Sequence, residues 1–304
     1  MRHLLDPTDL STAEIDAIIE RALDIIAHKE KYADACRGKK LATLFYEPST
    51  RTRLSFTAAM MELGGNVLGF SDARSSSVSK GETVADTIRV VSAFADIVAM
   101  RHYKEGAPRV ASEYSRIPII NAGDGGHSHP TQTMTDLLTI RRELGHFDHL
   151  TVGLCGDLKY GRTVHSLLMA MRYFNPRFNF VACNELQMPI EYKEFCQANG
   201  IEYHEYKDFS QEVINETDIL YMTRVQRERF TDLLEYERVK NLYNLHNAML
   251  DGSKPNLRVL HPLPRVNEIS YDVDSNPKAY YFQQAQNGLY ARQAIICRSL
   301  GIDC

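Results

Sequence analysis

The sequence lacks the features of a membrane protein, a nucleic-acid-binding protein and a secreted protein. It contains no run of about 18 or more apolar residues that could span a bilayer. Its 35 Lys and Arg against 39 Asp and Glu give a formal charge of −4, which argues against general attraction to nucleic acid or anionic lipid. The amino terminus, MRHLLDPTDLS, has no apolar segment of a secretory signal, so the cytoplasm is the expected compartment.

The cysteines form no recognisable framework. They lack CxxC and Cys/His spacing, so the sequence encodes neither a disulfide scaffold nor a zinc site. We expect free thiols that pack as small apolar side chains, and neither a metal nor a cofactor. The six cysteines are Cys36, Cys155, Cys183, Cys196, Cys297 and Cys304.

The chain has the composition and the length of a folded protein with about two domains. Of its 304 residues, 44% are hydrophobic and 24% are charged, which is enough apolar material for sizeable cores. The first periodic segment, residues 11–27, opens with Ser11 and Glu14 at capping-box spacing. This pattern predicts an amphipathic helix.

Short apolar runs alternate with helical periods along the rest of the chain. The alternation predicts an α/β fold with two domains, each a parallel sheet flanked by helices. We expect residues 1–130 and 284–304 in one domain and 131–283 in the other, with the C-terminal helix packing back on the first domain. The predicted strands are 41–46, 66–70, 96–101, 117–122, 151–155, 179–183, 201–206, 218–223 and 257–262. The further predicted helices are 50–63, 82–95, 107–115, 131–144, 162–173, 189–198, 229–240 and 284–300.

The turns that follow the strands contain the candidate functional residues, because open parallel sheets bind ligands beyond the carboxyl ends of their strands. After the first strand, Ser49 or Thr50 can cap a helix that also carries Arg51 and Thr52. A helix start with open N–H groups, hydroxyls and an arginine can hold a phosphate. The same residues are also compatible with a capped helix whose arginines face solvent.

Three further candidates lie in the first half. Lys80 ends a hydroxyl-rich loop that could equally be a surface connector, and Arg101 closes a buried strand on its carboxyl side. His129 precedes a proline suited to the first turn of a helix, with Gln132 three residues later. The imidazole and the carboxamide could both reach one carbonyl oxygen.

The second half supplies cations and a stiff turn. Arg162 with Thr163, and Arg224 with Gln226, each follow a predicted strand, and two arginines there could bind the carboxylates of a substrate. The turn HPLPR exposes backbone carbonyls and is a candidate for a cis peptide bond. An anionic ligand is therefore expected in one cleft reached by Arg51, Lys80, Arg101, Arg162, Arg224 and Arg265.

Seven motifs stand in one order over residues 49–265: STRTR, SxxxKGET, MRH, HPTQ, GRTVHS, TRVQ and HPLPR. In these motifs the sequence resembles the catalytic chains of the aspartate carbamoyltransferase family. The resemblance implies transfer of the carbamoyl group of carbamoyl phosphate to L-aspartate in pyrimidine biosynthesis, without a cofactor. It also implies that the first domain binds carbamoyl phosphate and that the second binds aspartate.

The resemblance carries roles to individual residues. Those implied for carbamoyl phosphate are Ser49, Thr50, Arg51, Thr52, Ser76, Lys80, Arg101, His129, Gln132 and the backbone carbonyls of Leu263 and Pro264. Those implied for L-aspartate are Lys80, Arg162, Thr163, Arg224 and Gln226. The residues expected to act in catalysis are Arg51, Thr52, Lys80, Arg101 and His129. Because three serines are consecutive here, Ser75 or Ser77 could replace Ser76 as the phosphate ligand.

The resemblance further implies an assembly. The loop with Ser76 and Lys80 would reach the site of a neighbouring chain, so the active unit would be a homotrimer with sites at subunit interfaces. The segment EGAPRVASEY resembles the corresponding region of family members that bind a separate regulatory chain. The sequence is compatible with catalytic trimers alone and with catalytic trimers joined by such a chain.

The sequence disfavours three other functions. An ornithine-type transcarbamylase would carry an acidic acceptor motif and a cysteine in an HCLP turn, whereas this chain has Arg224 and HPLP. A dinucleotide-dependent dehydrogenase is disfavoured because Gly153 and Gly156 do not form GxGxxG. An inactive anion-binding homologue is disfavoured because all the matching residues are present.

Overall fold

The computed structural model of the chain describes residues 2–72 and 77–302. The chain forms two compact units, the first made of Met1–Leu138 with Gln286–Cys304 and the second of Thr139–Ala285. Each unit contains a parallel sheet flanked by helices, which confirms the predicted α/β class. The units divide at 138/139 and 285/286, where the sequence predicted domain boundaries at 130/131 and 283/284.

The first unit is built on a sheet with the strand order β2-β1-β3-β4. All of its strand pairs are parallel, and β1 is buried from its second residue onward. A strand with helices on both faces needs apolar side chains on both faces, so the sequence of β1 reads as a continuous apolar run. The strands are β1 (Lys40–Phe45), β2 (Asn66–Phe70), β3 (Ile97–His102) and β4 (Ile119–Asp124).

Five of the helices that begin in the first unit follow predicted periods, whereas the sequence did not predict the four-residue helix Lys29–Tyr32. Ser11 and Glu14 form the expected capping box at the start of α1. The helix predicted over 82–95 is shorter, because after Val91 the N–H groups of Ala93 and Phe94 donate to carbonyls three residues back. The helices are α1 (Thr12–Ala27), α2 (Lys29–Tyr32), α3 (Thr50–Glu62), α4 (Val84–Val91), α5 (Ala107–Tyr114) and α6 (Pro130–Leu144).

The second unit is built on a sheet with the strand order β7-β6-β5-β8-β9, again with parallel pairs. Its strands are β5 (Thr151–Cys155), β6 (Arg177–Val181), β7 (Glu202–Tyr206), β8 (Ile219–Met222) and β9 (Arg258–Leu260). Its helices are α7 (Arg162–Met171), α8 (Ile190–Ala198), α9 (Gln211–Glu216) and α10 (Leu233–Val239). The sequence did not predict α9, since six residues are too few to show a helical period.

The C-terminal helix, α11 (Tyr281–Leu300), packs in the first unit as predicted. The guanidinium of Arg298 lies 2.6 Å from the carboxylate of Glu14 on α1. The guanidinium of Arg292, which is buried, donates to the hydroxyl of Ser55 on α3 across 3.2 Å. These contacts attach the end of the chain to the helices that begin it.

Within the described residues, no helix is long and apolar enough to cross a membrane.

Candidate active site

Three neighbouring strands of the first unit end at one edge of its sheet. They are β1, β3 and β4, and the register places Phe45 of β1 opposite Arg101 of β3. Apart from the loop with Lys80, which follows β2, the predicted residues of the first half follow or end these strands. Because carboxyl ends of parallel strands meet at the same edge, the topology brings these segments to one side of the unit.

The segment after β1 forms the start of α3. Ser49 is the N-cap residue of this helix, but its side chain makes no capping hydrogen bond. Thr50 and Arg51 are exposed in the first turn, and Thr52 is buried. The arrangement leaves hydroxyl groups beside the N–H groups of a helix start, which is a favourable environment for an anion.

Arg101 lies at the carboxyl end of β3 with a partner that the sequence did not identify. Its Nη2 lies 3.0 Å from Oε2 of Glu47, and its Nη1 donates to the carbonyl of Ala122 across 3.4 Å. The Arg101 side chain is largely buried, at 12% exposure. Glu47 thus holds the guanidinium at the sheet edge. The available signal in the sequence is an acidic residue two positions before Ser49, separated from STRTR by Pro48.

His129 and Gln132 stand at the start of α6, as predicted. The carbonyl of His129 accepts the N–H groups of Gln132 at 2.9 Å and Thr133 at 3.2 Å, so this buried histidine begins the helix. The side-chain Nε2 of Gln132 donates to Oδ1 of the buried Asp136 across 2.8 Å. Since that bond uses the amide nitrogen, the side-chain oxygen of Gln132 keeps its capacity to accept a hydrogen bond.

The loop expected to serve a neighbouring chain is described in part. Lys80 is exposed at the end of a short 3₁₀-helix, Ser77–Lys80. Ser76, and Ser75 as its alternative, lie outside the described residues.

Three neighbouring strands of the second unit also end at one edge. They are β5, β8 and β9. Arg162 and Thr163 begin the helix that follows β5, Arg224 comes two residues after β8, and Leu263 belongs to the turn after β9. The topology therefore places the predicted acceptor residues on adjacent loops.

A buried aspartate joins two of these loops. The Asp157 carboxylate accepts the N–H of Tyr160 at 2.9 Å and the N–H of Gln226 at 3.3 Å. Its own N–H donates to the hydroxyl of Thr223 across 2.8 Å. Burial raises the pKa of Asp157, whereas these backbone donors and Arg224 act to lower it. In the sequence, Asp157 follows Gly153 and Gly156 in the segment GLCGD, which by itself does not indicate this role.

The HPLPR turn has the predicted cis peptide bond, between Leu263 and Pro264. The expectation that Arg265 faces the ligand is not met. Its guanidinium forms a bidentate ion pair with Asp274 and donates to the hydroxyl of Tyr281 across 3.1 Å. Because Asp274 matches the fork of the guanidinium, Arg265 stabilises its own unit instead.

No group of three or more side chains suited to a metal ion occurs within residues 2–72 and 77–302. The described cysteines, all except Cys304, are free thiols.

Comparisons with known proteins agree with this geometry. The family model "Aspartate/ornithine carbamoyltransferase, carbamoyl-P binding domain" matches residues 2–142, and the model for the Asp/Orn binding domain of the same family matches residues 148–298. The aspartate carbamoyltransferase catalytic subunit of Bacteroides thetaiotaomicron is 65% identical over 266 residues, which cover 88% of this chain and 85% of that protein.

Solved structures are similar over nearly the whole chain. The catalytic subunit of M. jannaschii aspartate transcarbamoylase has a TM-score of 0.92 at 47% identity, covering 99% of this chain and 98% of that one. Aspartate transcarbamoylase from Trypanosoma cruzi, in complex with carbamoyl phosphate and aspartate, has a TM-score of 0.91 at 38% identity, covering 97% and 95%.

Two parallel-sheet units with cationic loops at the carboxyl ends of their strands define an α/β protein for anionic ligands. The chain belongs to the aspartate/ornithine carbamoyltransferase family.

Proposed function

We propose that the chain transfers the carbamoyl group of carbamoyl phosphate to the α-amine of L-aspartate, giving N-carbamoyl-L-aspartate and phosphate. The reaction is a step of pyrimidine biosynthesis. The curated relatives and the ligands of the Trypanosoma cruzi complex support this activity. The first unit binds carbamoyl phosphate and the second binds aspartate in this proposal.

The phosphate group binds at the start of α3. Ser49, Thr50, Arg51 and Thr52 supply hydroxyls, a guanidinium and helix N–H groups, with Arg101 from the neighbouring strand. A dianion at this point benefits from the positive end of the helix dipole and from charge-assisted hydrogen bonds. The ion pair between Arg101 and Glu47 supports this assignment, because it keeps the guanidinium at the sheet edge.

The carbamoyl group lies among a second set of groups. Thr52, Arg101 and His129 donate to its oxygen, while the oxygen of Gln132 and the backbone carbonyls of Leu263 and Pro264 accept from its NH₂. The bond from Gln132 to Asp136 supports the accepting role of Gln132.

One observation supports L-aspartate as the acceptor. Arg162 and Arg224 stand on the loops after adjacent strands, and Asp157 joins those loops through backbone N–H groups. Two guanidinium groups suit the two carboxylates of L-aspartate, with Thr163, Gln226 and Lys80 as further polar contacts. Ornithine, whose side chain is cationic, would be repelled.

The chemistry needs no cofactor. The neutral α-amine attacks the carbonyl carbon, a tetrahedral oxyanion forms, and the bond to phosphate breaks. Donors that are already in place at the oxyanion lower the barrier, and one such donor contributes roughly 3 to 4 kcal/mol in other enzymes. The departing phosphate takes the proton of the amine in this mechanism, and a pH–rate profile that requires a further ionising carboxylate would contradict it.

The proposal includes the assembly and the compartment. The active unit is a homotrimer in which Lys80, and Ser76 or an adjacent serine, complete the site of a neighbouring chain; the exposure of Lys80 is compatible with this role. Free thiols fit a reducing compartment and support the cytoplasm. A regulatory chain at the 105–114 segment is a separate hypothesis, and a mass measurement on material purified with its native partners tests it.

The experiment that tests the function is a colorimetric assay for carbamoyl aspartate with purified protein. We expect turnover with L-aspartate and none with L-ornithine. Arg224→Gln should raise the KM for aspartate by roughly a hundredfold, since a charge-assisted bidentate contact is lost. The matched control is Arg238→Gln, which removes an exposed arginine of α10 and should leave KM unchanged. A KM for aspartate in Arg224→Gln equal to that of wild type would contradict the assigned acceptor site.

A further inference from the structure

The turn after β9 is closed by a ring of hydrogen bonds around one imidazole. The N–H of Leu263 donates to Nδ1 of His261 across 2.7 Å, and Nε2 of His261 donates to Oε1 of Glu268 across 2.7 Å. The other oxygen of Glu268 accepts the N–H groups of Val266 and Asn267, each at 3.1 Å. The ring therefore fixes the backbone on both sides of Pro264.

Both side chains of the ring are buried, with His261 1% exposed and Glu268 3% exposed. The main-chain N–H of His261 also donates to the side-chain oxygen of Gln284 across 2.8 Å. His261 is thus held through both nitrogens of its imidazole and through its main-chain N–H, directly beyond the last residue of β9. Water cannot replace these partners without opening the turn.

The hydrogen bonds determine the protonation of the imidazole. Nδ1 can accept from Leu263 only if it carries no proton, so His261 is neutral with its proton on Nε2. Burial lowers the pKa of His261, and the positive charges of Arg224 and Arg265 act in the same direction, against Glu268. Burial acts to raise the pKa of Glu268, but the hydrogen bond from His261 and further donors outweigh it and lower that pKa.

We infer that His261 and Glu268 are positioning residues for carbamoyl phosphate, because their hydrogen-bond ring preforms the backbone turn whose Leu263 and Pro264 carbonyls receive the carbamoyl NH₂. Neither side chain touches the substrate in this account. The acceptor nitrogen of His261 holds the Pro262–Leu263 peptide, directly before the Leu263 carbonyl, and Glu268 holds the imidazole and the backbone after the Pro264 carbonyl. The inference rests on the proposed function.

Two substitutions distinguish the roles of the two imidazole nitrogens of His261. The side-chain oxygen of asparagine can take the place of Nδ1, so His261→Asn keeps an acceptor for Leu263 and loses the donor to Glu268. The side-chain nitrogen of glutamine can take the place of Nε2, so His261→Gln keeps the donor and loses the acceptor. The assembled enzyme is compared in each case by carbamoyl phosphate binding, steady-state kinetics and the urea midpoint.

We expect His261→Gln to weaken carbamoyl phosphate binding about tenfold, the effect of one lost oriented hydrogen bond, and His261→Asn to weaken it less than about threefold. The KM for aspartate at saturating carbamoyl phosphate should change little in both. If both variants lose the same affinity for carbamoyl phosphate, or if the loss of affinity parallels the fall in the urea midpoint of unfolding, the role of His261 is structural and the inference is overturned. A wild-type enzyme without activity on aspartate would instead overturn the proposed function.

A measurement on the unsubstituted enzyme keeps the inference testable if both variants fail to fold. Hydrogen–deuterium exchange should show the amides of Leu263, Val266 and Asn267 protected before carbamoyl phosphate is added, and to a similar degree afterwards. Protection that appears only with carbamoyl phosphate would mean that the ligand forms the turn, and the inference would be wrong.

Discussion

The backbone N–H of Gln226 donates to the buried carboxylate of Asp157 across 3.3 Å, which connects the loop after β8 to the loop after β5. The side-chain amide of Gln226 makes a second connection, to the carbonyl of Tyr160 at 3.1 Å. Arg224 lies on one of these loops and Arg162 follows the other. The separation of the two guanidinium groups therefore depends on a carboxylate that need not touch the substrate.

Replacing this carboxylate should change the affinity for aspartate. In Asp157→Asn the side chain keeps its size, but an amide nitrogen would face a backbone N–H, so one of the two accepted hydrogen bonds is lost. We expect the KM for aspartate to rise roughly tenfold or more, since a hydrogen bond to a charged group contributes about 1.5 to 3 kcal/mol. Steady-state kinetics with each substrate varied in turn measure this effect.

The matched control is Asp148→Asn, which changes an exposed aspartate of the same unit. It should leave both KM values unchanged. A rise in the KM for carbamoyl phosphate equal to the rise for aspartate in Asp157→Asn would mean general misfolding, and the loop-joining role of Asp157 would be rejected.

Arg51 is the side chain of the phosphate cradle whose loss should be most damaging. Arg51→Ala should reduce kcat by about a hundredfold to a thousandfold, because a donor to the transition state is removed. The mass of the assembly should not change, since Arg51 is exposed in the first turn of α3. Arg116→Ala, at an exposed position of the same unit, is the control. Substantial activity in Arg51→Ala would contradict the assigned cradle.

Much of the fold could be predicted because the central strands of its sheets are continuous apolar runs. The run 41–46 corresponds to β1 (Lys40–Phe45), and the run 151–155 to β5 (Thr151–Cys155). Parallel strands buried on both faces need such runs, so the pattern and the fold agree. The six-residue α9 was missed since its signal is a single capping serine, Ser210.

Candidate residues could be predicted where a reactive or charged side chain directly follows a strand. The partners that these side chains contact were harder to predict, because they come from other segments of the chain. Arg101 was identified from its strand end, but its partner Glu47 is fixed by the register of β1 against β3. Arg265 is predicted at the ligand because it ends the HPLPR turn, which follows a predicted strand. Asp274, nine residues later, pairs with it instead, and spacing alone does not reveal that turn.

Shared active sites can be tested by mixing two inactive variants. Lys80→Ala removes a loop residue and His129→Ala removes a residue at the start of α6. If the loop completes the site of a neighbouring chain, some sites in a hybrid trimer combine two intact contributions and activity returns. We expect roughly a third of wild-type activity at most from mixed trimers, and assay of purified hybrids measures it. Wild-type chains refolded in parallel provide the reference activity. If confirmed hybrid trimers recover no activity, each chain forms its own site.

The pH dependence of stability should contain a contribution from His165. Its Nε2 donates to the carbonyl of Leu158 at 2.6 Å and its ring stacks on Tyr192, while burial lowers the pKa of His165 from 6.5 to about 4. The folded state then binds fewer protons than the unfolded state between these values. The neutral, buried His165 therefore contributes its full stabilisation of the folded state above pH 6.5. This contribution, about 3 kcal/mol in the free energy of unfolding, is lost as the pH falls to about 4.

The variant His165→Gln keeps a donor for Leu158 and does not titrate. At pH 7, urea unfolding should therefore give a lower free energy of unfolding for the variant than for wild type. At pH 4 the free energy of unfolding of wild type should have fallen by about 3 kcal/mol relative to the variant, so the difference between the two proteins shrinks or changes sign. His146→Gln is the matched control, since it replaces an exposed imidazole of the same unit by the same side chain. A constant difference for His165→Gln would mean that His165 titrates alike in the folded and unfolded states, against the effect of its burial.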